Sequence, residues 1–324
     1  MTKILITGGA GNVGGALAHK LVSNPAYQVT VVDNLVTGSL KKLPAAIYPN
    51  FSFIKADVNE WTDIAPIMLS KQFDYVFHYA ALVGVQRTLA NPMSVLKDIE
   101  GIKHILNLSK NTGVKRVFFS SSSEVYGEPV EFPQNEQTTP LNSKLPYAIV
   151  KNVAEAFLKT YHKEYGLPFT IFRFFNTYGP QQSPDFVMMK FIQAALLGKE
   201  ITIYGDGKQT RTLCYIDDNI DATVSIFEKD LFINEVVNIG NNKEVSVLEL
   251  AKTVIAITGS ISKIVHLDPL EEGDMTRRQP DIAKMKMVLQ RELMSYEEGI
   301  QKILEINFGI KKSTVLAKSM NDLN

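Results

Sequence analysis

The chain has 324 residues, 45% of them hydrophobic, enough to fill the core of one large α/β unit or of two lobes. Lys plus Arg and Asp plus Glu both total 34, so there is no basic field to hold nucleic acid and no acidic excess that would mark a solvating tail. Cys214 is the only cysteine, which excludes an intramolecular disulfide and a multi-cysteine metal site; no metal is expected, and a reducing, cytoplasmic location is.

Residues 3–7 form an apolar run too short for a signal peptide or a membrane span, and no other run nears the roughly 20 apolar residues a bilayer demands. No membrane partner is expected, and residues 3–7 read as a first strand. Gly8-Gly9-Ala10-Gly11-Asn12-Val13-Gly14 follows it and opens a helix near Val13. Glycines at 8, 11 and 14 allow a tight turn, a close approach to a diphosphate and close helix packing, and the helix N-terminus then faces the negative charge. A second strand, 28–33, ends in Asp33-Asn34, where an acidic side chain accepts the adenosine ribose hydroxyls and repels a 2′-phosphate. That favours NAD over NADP. A third strand, 51–57, ends in Asp57-Val58, beside where the adenine would lie.

Strands at 75–80, 116–121 and 169–174 continue the series, with helical patterns between most of them. The alternation predicts βαβ crossovers and a Rossmann-type, doubly wound parallel sheet with ligands gathered outside the strands' carboxyl ends. The fifth strand runs into Ser120-Ser121-Ser122-Ser123-Glu124-Val125-Tyr126-Gly127, which places hydroxyls and a carboxylate at that edge. Tyr147-Ala148-Ile149-Val150-Lys151 opens a long helix after Pro146, and the spacing of four puts Tyr147 and Lys151 on one face. An ammonium near a phenol favours the phenolate, so Tyr147 is a candidate general base. The same spacing at Tyr204 and Lys208 is interrupted by Gly205 and Gly207 and reads as a turn. After residue 174 the chain becomes punctuated by Gly and Pro, and 236–239 reads as a strand returning to the main sheet. The expected organisation is therefore interleaved. Residues 1–175, with a returning segment near 212–240, bind the dinucleotide; 176–211 and 241–324 make a smaller substrate lobe.

Together these residues resemble the extended short-chain dehydrogenase/reductase family, specifically its NAD-dependent nucleotide-sugar epimerases, dehydratases and decarboxylases. The resemblance also rests on His78-Tyr79-Ala80-Ala81, Arg173-Phe174-Phe175-Asn176-Thr177-Tyr178-Gly179-Pro180, Tyr204-Gly205-Asp206-Gly207-Lys208-Gln209-Thr210-Arg211, Tyr215-Ile216-Asp217-Asp218 and Arg277-Arg278-Gln279-Pro280-Asp281. It implies that Tyr147 is the base, that Lys151 lowers its pKa and holds the nicotinamide ribose, and that Ser122 assists. It also implies that Ala80 and Ala81 let NAD pass close to the fourth strand, with His78 structural, and that Asn176 and Arg211 hold the substrate diphosphate.

The shared reaction is oxidation at C4 of a nucleotide-linked sugar to a 4-keto intermediate. Ser123-Glu124 is most similar to the UDP-glucuronate decarboxylase group, with Arg278 as the contact to the sugar carboxylate and Arg87 as a second candidate. A dehydratase would need an Asp where Ser123 stands. The short approach to Tyr147, Leu141-Asn142-Ser143-Lys144-Leu145-Pro146, is closer to 4-epimerases, whereas Glu271 and Glu272 stand where many epimerases carry basic residues. Decarboxylation is the leading expectation, then 4-epimerisation, with dehydration and an idle NAD-binding sensor behind. Relatives pair two helices per subunit, so 92–111 and 147–165 are expected at a homodimer interface.

Overall fold

Apolar runs become strands here because alternate residues reach two different cores. In β1 (Thr2–Thr7), Ile4 and Ile6 enter one core and Leu5 the other, all fully buried. The computed structural model describes residues 1–269 and 277–311. After β1 come α1 (Asn12–Val22), β2 (Tyr27–Asp33), β3 (Phe51–Lys55), α2 (Trp61–Lys71), β4 (Tyr75–His78), α3 (Val85–Ala90), α4 (Pro92–Thr112), β5 (Arg116–Ser122), α5 (Pro146–Tyr165) and β6 (Phe169–Phe174). They are followed by β7 (Thr177–Tyr178), α6 (Val187–Leu196), β8 (Ile201–Tyr204), β9 (Thr210–Thr212), β10 (Cys214–Tyr215), α7 (Ile216–Glu228) and β11 (Glu235–Ile239). The remaining elements are β12 (Glu244–Ser246), α8 (Val247–Thr258), β13 (Ile264–Leu267), α9 (Ala283–Leu289) and α10 (Tyr296–Phe308).

Seven strands form one parallel sheet in the order β11-β6-β5-β4-β1-β2-β3. This is the Rossmann-type sheet expected, and the order reverses between β1 and β4, which opens a crevice at their carboxyl ends. As expected, β11 returns to the sheet, with Val237 opposite Phe172. One face buries Ile64, Ile105 and Leu158 from α2, α4 and α5; the other buries Leu17 and Val224 from α1 and α7. On that second face the rings of Phe77, Phe118 and Phe172 stack across three neighbouring strands, with centroids 4.4 and 6.0 Å apart. The same core continues through α6, α8 and α10, beside two-stranded pairs of β7 with β10, β9 with β12 and β8 with β13. Among the described residues no helix is long and apolar enough to cross a membrane.

Two strands stop short of their sequence limits, and side chains explain both. The strand expected over 51–57 ends at Lys55, since the Asp57 amide donates to Asp63 Oδ2 at 3.0 Å and Asp57 Oδ1 accepts the Asn59 amide at 2.9 Å. The strand expected over 75–80 ends at His78: the Tyr79 amide still reaches the Thr7 carbonyl at 3.1 Å, sharing itself with Thr7 Oγ1 at 3.2 Å, and the Ala80 amide then turns onto Thr7 Oγ1 at 3.3 Å. In each case a short polar side chain takes an amide at the strand end, from six residues on for β3 and from the neighbouring strand β1 for β4.

Candidate active site

At the end of β1 the backbone must turn within contact distance of β4. Gly8 does so at φ +69°, and a Cβ there would lie 2.5 Å from the Ala80 amide nitrogen. Any side chain at this position would therefore push the two strand ends apart. The turn is braced by Asp33, whose Oδ2 accepts the Ala10 amide at 3.0 Å and whose Oδ1 accepts the Leu35 amide at 2.8 Å. Each oxygen retains a free lone pair for a further donor. Gly11 caps α1 with no side chain on the helix amides, and Asn12 Oδ1 is buried with no partner. A glycine turn, an open helix N-terminus, an unpartnered amide oxygen and a strand-end carboxylate fit the diphosphate and ribose of NAD. Asn34 Nδ2 donates to Asp57 Oδ2 at 3.2 Å, joining the ends of β2 and β3.

Beyond this turn lies a cavity of 590 Å³ over the carboxyl ends of the sheet. Gly8, Gly11, Asn12, Val13, Gly14, Asp33, Asn34, Asp57, Val58, Ala80 and Ala81 line it. So do Ser122, Ser123, Glu124, Tyr147, Lys151, Asn176, Arg211 and Arg278. Of the described residues expected from the sequence to contact cofactor or substrate, Arg87 alone is not on its wall. The Arg87 guanidinium instead donates to the Val83 carbonyl at 3.0 Å and pairs with Asp185 at 2.7 Å. These two partners engage the guanidinium, which is not among the groups lining the cavity. Glu271 and Glu272 lie outside the described residues.

Helix α5 presents Tyr147 and Lys151 on the cavity side, with Pro146 at its first turn. Lys151 is almost fully buried and its Nζ donates to the Ser120 carbonyl at 2.6 Å. Burial lowers its pKa to about 8, opposed in part by the carboxylates of Asp98 and Glu155. Its Nζ is 5.8 Å from the centre of the Tyr147 ring.

The pull expected of Lys151 is not what sets the phenol. Burial first, then the charge of Glu124 and, less, that of Asp98, push Tyr147 above the ordinary tyrosine range, while a hydrogen bond with Ser122 and the charge of Arg278 act in the opposite direction. Below them His78 is buried and held neutral, its pKa lowered to about 3 mainly by desolvation. Its Nδ1 is 2.8 Å from Thr7 Oγ1, which fixes the turn and agrees with a structural role.

Residues 123–126 form one tight 3-10 turn, with Ser122 Oγ accepting the Glu124 amide at 3.2 Å. Glu124 Oε1 meets Arg278 Nη2 at 2.7 Å, across 154 positions of sequence, and Ser123 Oγ is 3.4 Å from Arg278 Nη1. Glu124 Oε2 and Arg278 Nε are buried with no partner. This is an incompletely satisfied ion pair on a cavity wall, able to take up one more acceptor at the arginine and one more donor at the glutamate. Elsewhere on the cavity lining Asn176, at φ +37°, donates from Nδ2 to the Thr212 carbonyl at 3.1 Å, and Arg211 Nη1 donates to the Thr210 carbonyl at 2.7 Å.

Sequence reasoning missed Asp98, which also lines the cavity. A signal was available. Val95, Ile102 and Ile105 form the buried stripe of α4, and position 98 falls on it at helical spacing. It also missed the buried support beneath the site, where Glu155 accepts Ser121 Oγ at 2.6 Å and pairs with Arg173 at 2.7 Å. Arg173 passes the contact to Tyr126 OH at 2.8 Å.

The model of the NAD dependent epimerase/dehydratase family matches residues 4–240. UDP-N-acetyl-alpha-D-glucosaminuronate decarboxylase of Bacillus cytotoxicus is 34% identical over 318 residues, covering 94% of this chain and 97% of that protein. UDP-glucuronic acid decarboxylase 1 of Danio rerio is 36% identical over 312 residues, 94% of this chain and 72% of the relative. Among solved structures, UDP-glucose 4-epimerase from Thermotoga maritima with UDP-glucose superposes with a TM-score of 0.88 at 33% identity, covering 98% of this chain and 100% of the other. UDP-glucuronic acid 4-epimerase from Bacillus cereus, in complex with UDP-glucuronic acid and NAD, gives 0.85 at 29% identity over 98% and 100%. The glycine turn with its Asp33 brace and the paired Tyr147 and Lys151 are thus found in a chain similar to these enzymes over nearly its whole length, and the chain belongs to the NAD-dependent epimerase/dehydratase family.

Proposed function

We propose that the chain decarboxylates a nucleotide-linked uronic acid, with UDP-glucuronate as the first substrate to test. The observation that carries this reading is the Glu124–Arg278 pair on the cavity wall, with an unpartnered arginine Nε facing the need of a sugar carboxylate for a guanidinium fork. Bound NAD supplies the hydride acceptor for oxidation at C4. Gly8, Gly11, Asn12 and Asp33 hold its diphosphate and adenosine ribose, and Lys151 its nicotinamide ribose. Tyr147, as the phenolate that the positive charges of Lys151 and of the nicotinamide ring of bound NAD would favour against its burial, takes the proton from the C4 hydroxyl, and Ser122 is hydrogen-bonded to the phenol oxygen. Arg278 orients the C6 carboxylate, Glu124 holds the arginine in place, and Asn176 and Arg211 grip the diphosphate. A carboxylate β to a ketone leaves as carbon dioxide, its bonding electrons passing into the carbonyl, and a proton then returns to C5. In this reading residues 1–175 and the returning segment near 212–240 serve the cofactor, and 176–211 with 241–324 serve the sugar nucleotide.

Incubation of the NAD-loaded protein with UDP-glucuronate, followed by NMR and mass spectrometry, is expected to give a UDP-pentose or its 4-keto form, lighter by one carbon dioxide. A UDP-galacturonate product of unchanged mass would replace this reading with 4-epimerisation. No conversion by folded, NAD-loaded protein would refute both for this sugar.

The same reading includes a homodimer built on the outer faces of α4 and α5. A shallow groove there is lined by Trp61, His104, Phe157 and Tyr161, and Lys110 Nζ sits 4.0 Å from the centre of the Tyr165 ring. Light scattering is expected to return twice the chain mass of 36.1 kDa, and Tyr161→Glu to return the single mass. A wild-type monomer at assay concentration would end the dimer proposal.

A further inference from the structure

The two partners of the Glu124–Arg278 pair come from segments far apart in the chain, and one buried side chain touches the framework of both. Glu124 stands on the 3-10 turn that ends at Tyr126, and the Tyr126 hydroxyl donates to Asn238 Oδ1 at 2.8 Å. That hydroxyl already accepts from Arg173 Nη1 at 2.8 Å, so its proton is directed to Asn238. Arg278 enters the site on the stretch 278–281, where Pro280 bridges to Gln134. Asn238 Nδ2 donates to the Gln134 carbonyl at 2.9 Å and to the Asp281 carbonyl at 3.2 Å.

Asn238 is fully buried in β11, the edge strand of the sheet. Beyond an edge strand there is no further ladder to set the register of whatever lies against it. Here a side chain does so, and the Asn238 backbone amide adds a bond to Glu136 Oε1 at 2.9 Å. Only a carboxamide suits the place, because it accepts from Tyr126 while donating to two carbonyls. The other holds on 278–281 lead elsewhere. Arg277, 43% exposed, pairs with Glu244 at 2.6 Å; Gln279 Nε2 donates to the Asn242 carbonyl at 3.2 Å; Asn135 Nδ2 donates to Asp281 Oδ2 at 2.9 Å. Of these groups, Asn238 is the one that also reaches the turn of Glu124.

We propose that Asn238 is a positioning residue, fixing the turn of Glu124 and the segment of Arg278 at one spacing so that the pair presents its arginine to a sugar carboxylate. The proposal rests on the reading of that pair as the carboxylate site. Were the two backbones free to shift independently, forming the ion pair would also have to order them, at a cost in entropy. Removal of the Asn238 amide therefore weakens the pair from a distance, with neither partner altered.

The test is the coupling between Glu124 and Arg278, measured in urea by the double-mutant cycle of Glu124→Gln and Arg278→Met and repeated in three backgrounds. Asn238→Leu removes the side-chain bonds to Tyr126, Gln134 and Asp281 at similar volume, and Tyr126→Phe removes only the first. Val237→Ala weakens the packing of the same strand, from its other face, and leaves those bonds in place. Asn238→Leu is expected to lose more than half of the wild-type coupling, Tyr126→Phe a smaller part, and Val237→Ala none. In NAD-loaded protein Asn238→Leu is also expected to lower kcat/KM for UDP-glucuronate by about tenfold, and to lower it no further when Arg278→Met is already present.

Equal coupling in the wild type and in whichever of the first two variants folds would overturn the proposal, as would an equal loss in Val237→Ala or no coupling in the wild type. Coupling lost while an active enzyme keeps its kcat/KM would overturn it too and leave Asn238 a structural brace. The cycle in urea needs neither substrate nor turnover. Failure of the decarboxylation reading would therefore leave the coupling result standing, and an unchanged coupling would leave that reading untouched.

Discussion

Tyr147→Phe is expected to lower kcat on UDP-glucuronate by about 10²–10⁴-fold, with NAD and UDP affinities within a few-fold of wild type, as for loss of a positioned general base. The ring and its packing at the start of α5 are retained, so only the phenol oxygen is lost. That oxygen is where opposed influences meet: burial, Glu124 and Asp98 keep its proton on, while Ser122 and Arg278 favour its removal. Ser122→Ala should therefore slow the same step less, because it removes one of two assisting groups. The wild-type rate should also fall on the alkaline side, since the Lys151 ammonium is lost as pH rises through about 8. Calorimetry of NAD and UDP binding alongside the rate separates the two explanations of a slow variant. An inactive Tyr147→Phe that no longer binds NAD would point to a packing role; a fully active one would remove Tyr147 from the chemistry.

Much of this arrangement is legible in the chain because its causes are local. The alternation of Ile4, Leu5 and Ile6 between two cores marks a strand buried on both faces, and the glycines after it can only serve a turn. The spacing of Tyr147 and Lys151 becomes a shared helical face once Pro146 starts the helix. What local pattern cannot carry is the competition among partners distant in sequence. Arg87 turns to Asp185, 98 positions away, and so leaves the cavity wall. Lys151 donates to the Ser120 carbonyl, and the influences that set Tyr147 come from burial, Glu124, Ser122, Asp98 and Arg278 instead. Glu124 and Arg278 could each be nominated by resemblance, but their mutual contact depends on residues 278–281 running beside residue 134. There the Gln134 amide donates to the Gln279 carbonyl at 2.7 Å and the Asp281 amide to the Gln134 carbonyl at 2.8 Å. Strand ends are likewise decided by partners outside the strand, as Thr7 does for β4.

The Arg278 contact leads to the second large effect. Arg278→Met should reduce kcat/KM for UDP-glucuronate by about 10²-fold, which corresponds to about 3 kcal/mol for truncating one partner of a desolvated charge pair. UDP binding should be little changed, because the diphosphate is assigned to Asn176 and Arg211 and not to Arg278. Two separate consequences are mixed in that single substitution. The sugar carboxylate loses its guanidinium, and Glu124, only 12% exposed, is left without its counter-ion. The second should appear as lost thermal stability of about 2 kcal/mol, less than for a fully buried pair because both groups border the cavity.

Glu124→Gln combined with Arg278→Met removes the stranded charge. The double variant should regain most of the stability but none of the decarboxylation. A double-mutant cycle in denaturant and in kcat/KM therefore distinguishes a pair that only holds the loop from one that also handles substrate. Recovery of activity together with stability would sink the role given to Arg278 and return the uronate carboxylate to some other partner.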